Sequence, residues 1–188
     1  MAATASTMLP LGTIAPDFKL LDVVTNQQLS LQALRGEKAT LLMFICNHCP
    51  YVLHVKTELI ALANQYSQLG VAIIAISAND IAQYPEDAPD KMLALMQAWG
   101  NPFAGYLYDE TQAVAKAYQA ACTPDFYLFD AGLACVYRGR LDGSTPKNSV
   151  PVTGVELRQA LDAVLAHQPA IEPQLPSIGC NIKWKPLA

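Results

Sequence analysis

A chain of 188 residues suits one well-packed domain, and 52% apolar against 15% charged residues is a composition rich in core-forming side chains. The formal net charge is −4 with no basic stretch, and no apolar run approaches the ~18 residues of a membrane span, so nucleic acid and membranes are excluded as expected partners. The 5 cysteines, an odd number, follow a start without a basic n-region or an apolar h-region, so a reducing cytoplasmic location with functional thiols is expected. So few charges also leave room for a homodimer.

The first fourteen or so residues read as a mobile lead-in, with 1–9 outside the domain proper. Ala15 to Leu21 and Gln28 to Leu31 read as two short strands joined by a polar turn near Asn26, and a brief turn from Leu31 to Leu34 closes on Gly36. The apolar run Thr40 to Ile45 is a buried strand. It stops at Cys46, and Val52, Val55, Leu59, Leu62, Tyr66 and Leu69 then recur at three- and four-residue steps. That spacing makes one face of an amphipathic helix, which Gly70 ends.

Cys46-Asn47-His48-Cys49-Pro50 therefore lies where a strand hands over to a helix N-terminus. The first N–H groups of a helix lack intrahelical acceptors and carry partial positive charge, which favours a thiolate. Pro50 fits in the first turn, where a missing N–H costs nothing. Lowering a cysteine pKa from about 8.5 to about 7 is worth roughly 2 kcal/mol, whereas a helix terminus gives about 0.3–1. Another group must supply the rest, and His48, between the two cysteines, is the candidate. Cys46 and Cys49 are read as a reversible dithiol/disulfide couple. No second C-x-x-C or H-x-x-H pair exists to complete a zinc site, and outside the motif the histidines are only His54 and His167, so neither metal nor cofactor is expected.

Val71 to Ser77 is a second apolar strand, and with the intervening helix it predicts a βαβ unit with a strand buried on both faces. Asn79 to Asp90 is polar, holds Pro85 and Pro89, and reads as a loop. Asp90 is placed as the cap of a helix through Trp99, with Gly100 after it, and a further helix is expected from Thr111 to Ala121. After Cys122-Thr123-Pro124, Phe126 to Phe129 and Leu133 to Arg138 form a β-hairpin about Asp130 to Gly132. Thr153-x-x-Glu156 reads as a capping box opening the last helix, and Pro169, Pro173, Pro176 and Pro186 mark an extended tail over 168–188. No repeat or domain boundary appears within 10–188. The predicted class is α/β: a central mixed sheet flanked by helices, with an N-terminal β-hairpin and a C-terminal tail packed on the domain.

That order, with C-x-x-C at the first helix of the βαβ unit, resembles the thioredoxin fold. Gly12-Thr13-Ile14-Ala15-Pro16-Asp17-Phe18 with Leu31-Gln32-Ala33-Leu34-Arg35-Gly36 is similar to the redoxin branch of alkyl hydroperoxide reductases, thiol-specific antioxidant proteins and other peroxiredoxin-like proteins. Cys46-Asn47-His48-Cys49-Pro50-Tyr51-Val52, Thr123-Pro124-Asp125-Phe126 and Ser177-Ile178-Gly179-Cys180-Asn181-Ile182-Lys183-Trp184 resemble its members that carry a C-x-x-C. The resemblance implies that Cys46 is the exposed nucleophile, that Cys49 resolves the mixed disulfide, and that Thr123-Pro124 is a cis-proline loop whose backbone pairs with substrate. It also implies an antioxidant role.

In the peroxiredoxin pattern the reactive cysteine falls at Cys49, with Thr or Ser where Cys46 stands and an arginine just before the Phe126 strand. Here Thr123-Pro124 takes that place, and Arg138 is the available substitute. Thiol–disulfide exchange is therefore ranked first, with Cys46 attacking a protein or small-molecule disulfide and an unidentified thiol reductant restoring the couple. Hydroperoxide reduction is second, and a metal-binding or redox-inactive interaction domain third. Asn47, His48, Thr123 and Pro124 are the supporting residues. Cys180 is read as a third thiol or a tail anchor, Cys122 as core near the site, and Cys135 as core. His48 beside Cys49 predicts a couple less reducing than about −270 mV.

Overall fold

The computed structural model describes residues 3–186. In chain order the first elements are β1 (Ala3–Ala5), β2 (Lys19–Asp22), β3 (Gln27–Ser30), α1 (Leu31–Leu34), β4 (Ala39–Phe44) and α2 (Pro50–Ser67). There follow β5 (Val71–Ser77), a 3-10 turn at Pro85–Asp87, α3 (Pro89–Trp99), β6 (Gly105–Tyr108) and α4 (Ala113–Ala117). The chain continues through β7 (Cys122–Thr123), β8 (Asp125–Asp130), β9 (Cys135–Gly139), α5 (Val155–Leu165) and β10 (Ile178–Asn181).

The two apolar runs make the centre of a seven-stranded sheet ordered β3-β2-β6-β5-β4-β8-β9. Successive side chains of a strand point to opposite faces. Leu41, Met43, Ile73 and Ala75 accordingly enter one core, with the buried residues of α2, α3 and α5. Leu42, Phe44, Ile74 and Ile76 enter the other, with Val114 and Ala115 of α4 and the segment around Leu9 to Phe18. A strand covered on both sides needs no polar position, which is why these runs are continuous. β4 and β5 pair in parallel through α2, and β8 and β9 add antiparallel beyond β4. The sheet is mixed and flanked by helices, as expected. Among the described residues no helix is long and apolar enough to cross a membrane.

Several boundaries differ from the sequence reading, each for a local reason. Gly105–Tyr108, for which no element was expected, is a strand between β5 and β2. Its four residues are too few to display a period. The helix expected from Thr111 to Ala121 is only Ala113–Ala117, because Gln112 and Gln119 take left-handed backbone (φ 62° and 54°) and the Asp109 carboxylate accepts from Ala115 N at 2.8 Å. Asp90 lies within the first turn of α3, and Ala88 is its N-cap.

The capping box of α5 is also replaced. Gly154 is the N-cap, at φ 65°, and Asp142 Oδ2 accepts from Thr153 N and Gly154 N at 2.7 and 2.6 Å. Glu156 turns instead to Arg140. The described part of the lead-in is held rather than mobile: Ala3–Ala5 pairs with β10, and Leu9 is buried. Residues 1 and 2 lie outside the described residues.

Candidate active site

The thiol turn follows directly from the strand-to-helix handover. Ile45 N still bonds Ile76 O, while Cys49 is the N-cap of α2 with extended backbone and Pro50 takes the first helical position. Leu53 N bonds back to Cys49 O at 3.0 Å, closing the first turn. Opposite stands β7, whose Thr123 precedes a cis-Pro124. Thr123 contacts both sulfurs: its Oγ1 lies 3.5 Å from Cys46 Sγ, and its carbonyl oxygen 3.1 Å from Cys49 Sγ. The strand β10 lies against β7 in antiparallel register, with Cys180 opposite Thr123 and Asn181 opposite Cys122.

The pair shares its protons unequally. The mutual interaction of Cys46 and Cys49 is the largest influence on both residues. It lowers Cys49 to about 5; burial opposes the shift, while Thr123, Cys180 and the Val52 N–H assist it. The same interaction raises Cys46, as do burial and the nearby Asp87 carboxylate. When Cys49 is protonated its S–H has the Thr123 carbonyl as acceptor, so that contact works against ionisation. The lowering influences outweigh it. Of the two, Cys49, at the helix start, is the thiol shifted toward its charged form. Cys46 is not open: it is 1% exposed, and Cys49 0%.

His48 Nδ1 lies 2.7 Å from Asp87 Oδ2 and its ring stacks on Tyr84 at 5.3 Å, so the ring is engaged by the loop after β5. Asn47 ties the turn to the same segment: its N–H reaches Asp87 Oδ1 at 2.8 Å, its Nδ2 donates to Glu86 O, and its Oδ1 accepts from Tyr106 OH. Both residues position the thiol turn. Asp87 itself, fully buried and also held by Asn79 Nδ2 at 2.7 Å, has no part in the sequence reading. The available signal was its loop, which follows the C-terminal end of a parallel strand, the edge where α/β sheets place their sites.

Cys46, His48 and Asp87 bring possible metal-ligand atoms within 4.8 Å of one another. Each already has a protein partner: Cys46 has Thr123, Asp87 has Asn47 and Asn79, and His48 has Asp87. Among the described residues neither ring nitrogen of His48 makes a hydrogen bond, so its tie to Asp87 is the ion-pair contact alone. Arg138 is not at the sulfurs either, since its Nη1 bonds Gln174 Oε1 at 2.6 Å. Cys122 is buried on β7, with its thiol toward Pro124 O, and Cys135 belongs to the core on the opposite face of the sheet. A cleft lined by Tyr51, His54, Pro124, Phe126, Ser144 and Ile178 opens beside the thiol turn, but neither sulfur of the pair lines it.

A family model described as the AhpC/TSA family matches residues 11–137. An uncharacterized conserved protein from Geobacillus kaustophilus is 56% identical, with 100% of this chain and 99% of that one covered and a TM-score of 0.97. A hypothetical protein from Sinorhizobium meliloti 1021 is 43% identical over 97% of this chain and 98% of that one, at a TM-score of 0.93. Peroxidoxin BcpB from Mycobacterium tuberculosis is 14% identical over 85% of this chain and 98% of its own, at a TM-score of 0.62, a likeness of fold alone. No curated relative matches the sequence.

Proposed function

The chain belongs to the AhpC/TSA family of redoxins, whose members are oxidoreductases, and on that premise we propose that it is a thiol–disulfide oxidoreductase working through Cys46 and Cys49. The observation that carries the reading is the placement of both thiols where β4 hands over to α2, each in contact with Thr123 beside cis-Pro124. A thiolate is the attacking form of cysteine, so the charge on Cys49 makes it the first nucleophile. Its sulfur attacks one sulfur of a substrate disulfide, and the displaced thiolate takes up a proton. Cys46 then gives up its proton and attacks Cys49 Sγ, which expels the second substrate thiol and leaves a Cys46–Cys49 disulfide. An external thiol restores the dithiol. This order reverses the roles expected from the resemblance.

Because both sulfurs lie under neighbouring groups, entry requires a covering segment to move, and a small disulfide needs less movement than a protein. Turnover of a small disulfide should be lost in Cys49→Ser, while Cys46→Ser should accumulate a mixed disulfide on Cys49. Full turnover by Cys49→Ser would overturn the assignment.

Peroxide reduction is the second reading. The charge on the later cysteine, with a hydrogen donor three residues before it, favours this reading. The engagement of Arg138 with Gln174 counts against it, because a peroxidase needs a cation to orient the peroxide. Consumption of hydrogen peroxide with a sulfenic-acid adduct on Cys49 would promote this reading above disulfide exchange.

A further inference from the structure

We propose that Cys180 is a third exchanging thiol of this site, so that Cys49 is the sulfur common to two alternative disulfides within one chain, Cys46–Cys49 and Cys49–Cys180. The proposal rests on the reading of Cys46 and Cys49 as a redox couple and extends it to the tail.

The placement is built by backbone pairing rather than by chance contact. β10 is the middle strand of a small sheet, with β1 on one side and β7 on the other, and its register sets Cys180 directly opposite Thr123. Thr123 is also the residue whose carbonyl lies 3.1 Å from Cys49 Sγ. Gly179 allows this approach: a Cβ there would stand 2.1 Å from Thr123 O, closer than any side chain tolerates. Cys49 and Cys180 are buried in one core, where α2 and β10 pack together, and the nearness of the two thiols shifts Cys49 down and Cys180 up. Cys49 thus shares its buried surroundings with two other thiols. One comes from its own turn and one from a strand more than a hundred residues later.

The strand also lies where a substrate is expected. An extended partner chain that pairs with the backbone beside Pro124 would run along the edge of β7, and β10 already runs there.

The exchange balances without any external oxidant. Starting from the Cys46–Cys49 disulfide, Cys180 releases its proton and its sulfur attacks Cys49 Sγ. The Cys49–Cys180 bond forms, the Cys46–Cys49 bond breaks, and Cys46 leaves as a thiolate that takes up one proton. The influence of the Cys49 thiolate, which with burial holds Cys180 as a thiol, is gone once Cys49 is oxidised. The second disulfide staples β10, and β1 with it, over the thiol turn.

Tryptic peptides separate the possible bonds. Cys46 and Cys49 share peptide 39–56, Cys122 and Cys135 share 117–138, and Cys180 lies in 159–183. Full-length Cys46→Ser and the unaltered protein would each be oxidised with stoichiometric diamide, blocked with N-ethylmaleimide, digested at mildly acidic pH and mapped by mass spectrometry. The expected result is a 39–56/159–183 cross-link within single chains of both proteins, in the majority of Cys46→Ser chains, and its complete loss in Cys180→Ser. A Cys46–Cys49 disulfide without that cross-link in either protein would overturn the third thiol and leave the couple standing. A cross-link from 159–183 to 117–138 would overturn it too, by assigning Cys180 to Cys122. If neither peptide 39–56 nor 159–183 forms a disulfide, the couple and the proposal fall together.

Discussion

At the scale of residues, the account turns on Cys49 being the charged sulfur and Cys46 the largest influence on it. Removing that influence should weaken the thiolate. In Cys46→Ala the midpoint for thiolate formation at Cys49, read from absorbance near 240 nm or from the pH dependence of alkylation, should move up from about 5 toward the ordinary thiol value of 9.0. Cys46→Ser, which keeps a hydroxyl donor, should move it less. An unchanged midpoint in the alanine variant would assign the stabilisation elsewhere. The sign carries over to stability. A depressed thiol pKa contributes stability that is fully present above the unfolded value and is lost as pH falls through about 5.

The pair itself was legible in the sequence, because C-x-x-C between an apolar strand and an amphipathic helix has a direct physical reading. Which cysteine carries the charge was not. Thr123 contacts Cys49 from 74 residues along the chain, and Cys180 comes from further still. The surroundings of His48 were hidden for the same reason. Asp87 and Tyr84 engage its ring, and both come from a loop that the sequence could describe only as polar.

Among the elements, the long apolar and strongly periodic ones were legible: β4, β5, α2 and the β8–β9 hairpin. Those decided by tertiary contacts were not. β6 is short, α4 is cut at both ends by left-handed residues, and β1, β7 and β10 exist only because they pair with one another. The start of α5 offers the cleanest test. Two backbone N–H groups there go to the carboxylate of Asp142, which itself comes from the loop after β9. Asp142→Ala should therefore cost about 0.5–2 kcal/mol, the ordinary worth of an N-cap. Thr153→Ala should cost markedly less, since its hydroxyl serves only Val155 N at 3.4 Å. Thermal unfolding of the two variants reads the difference, and equal losses would restore the capping box.

For the whole molecule, the sheet brings three segments distant in sequence to one edge: the turn after β4, the loop after β5, and β7 with the tail strand laid over it. The segment after β4 supplies the reactive sulfurs, the loop after β5 fixes the turn through Asp87, and β10 closes it. A Cys49 thiol shifted toward its charged form stabilises the reduced protein relative to the oxidised one, which predicts a couple less reducing than about −270 mV. A glutathione redox titration, with every cysteine mapped by alkylation and mass spectrometry at each potential, reads the Cys46–Cys49 couple itself. Reversible loss of two alkylation sites from peptide 39–56, with a midpoint above that value, is the predicted result. Cys46 and Cys49 remaining fully alkylated across the whole titration would contradict it.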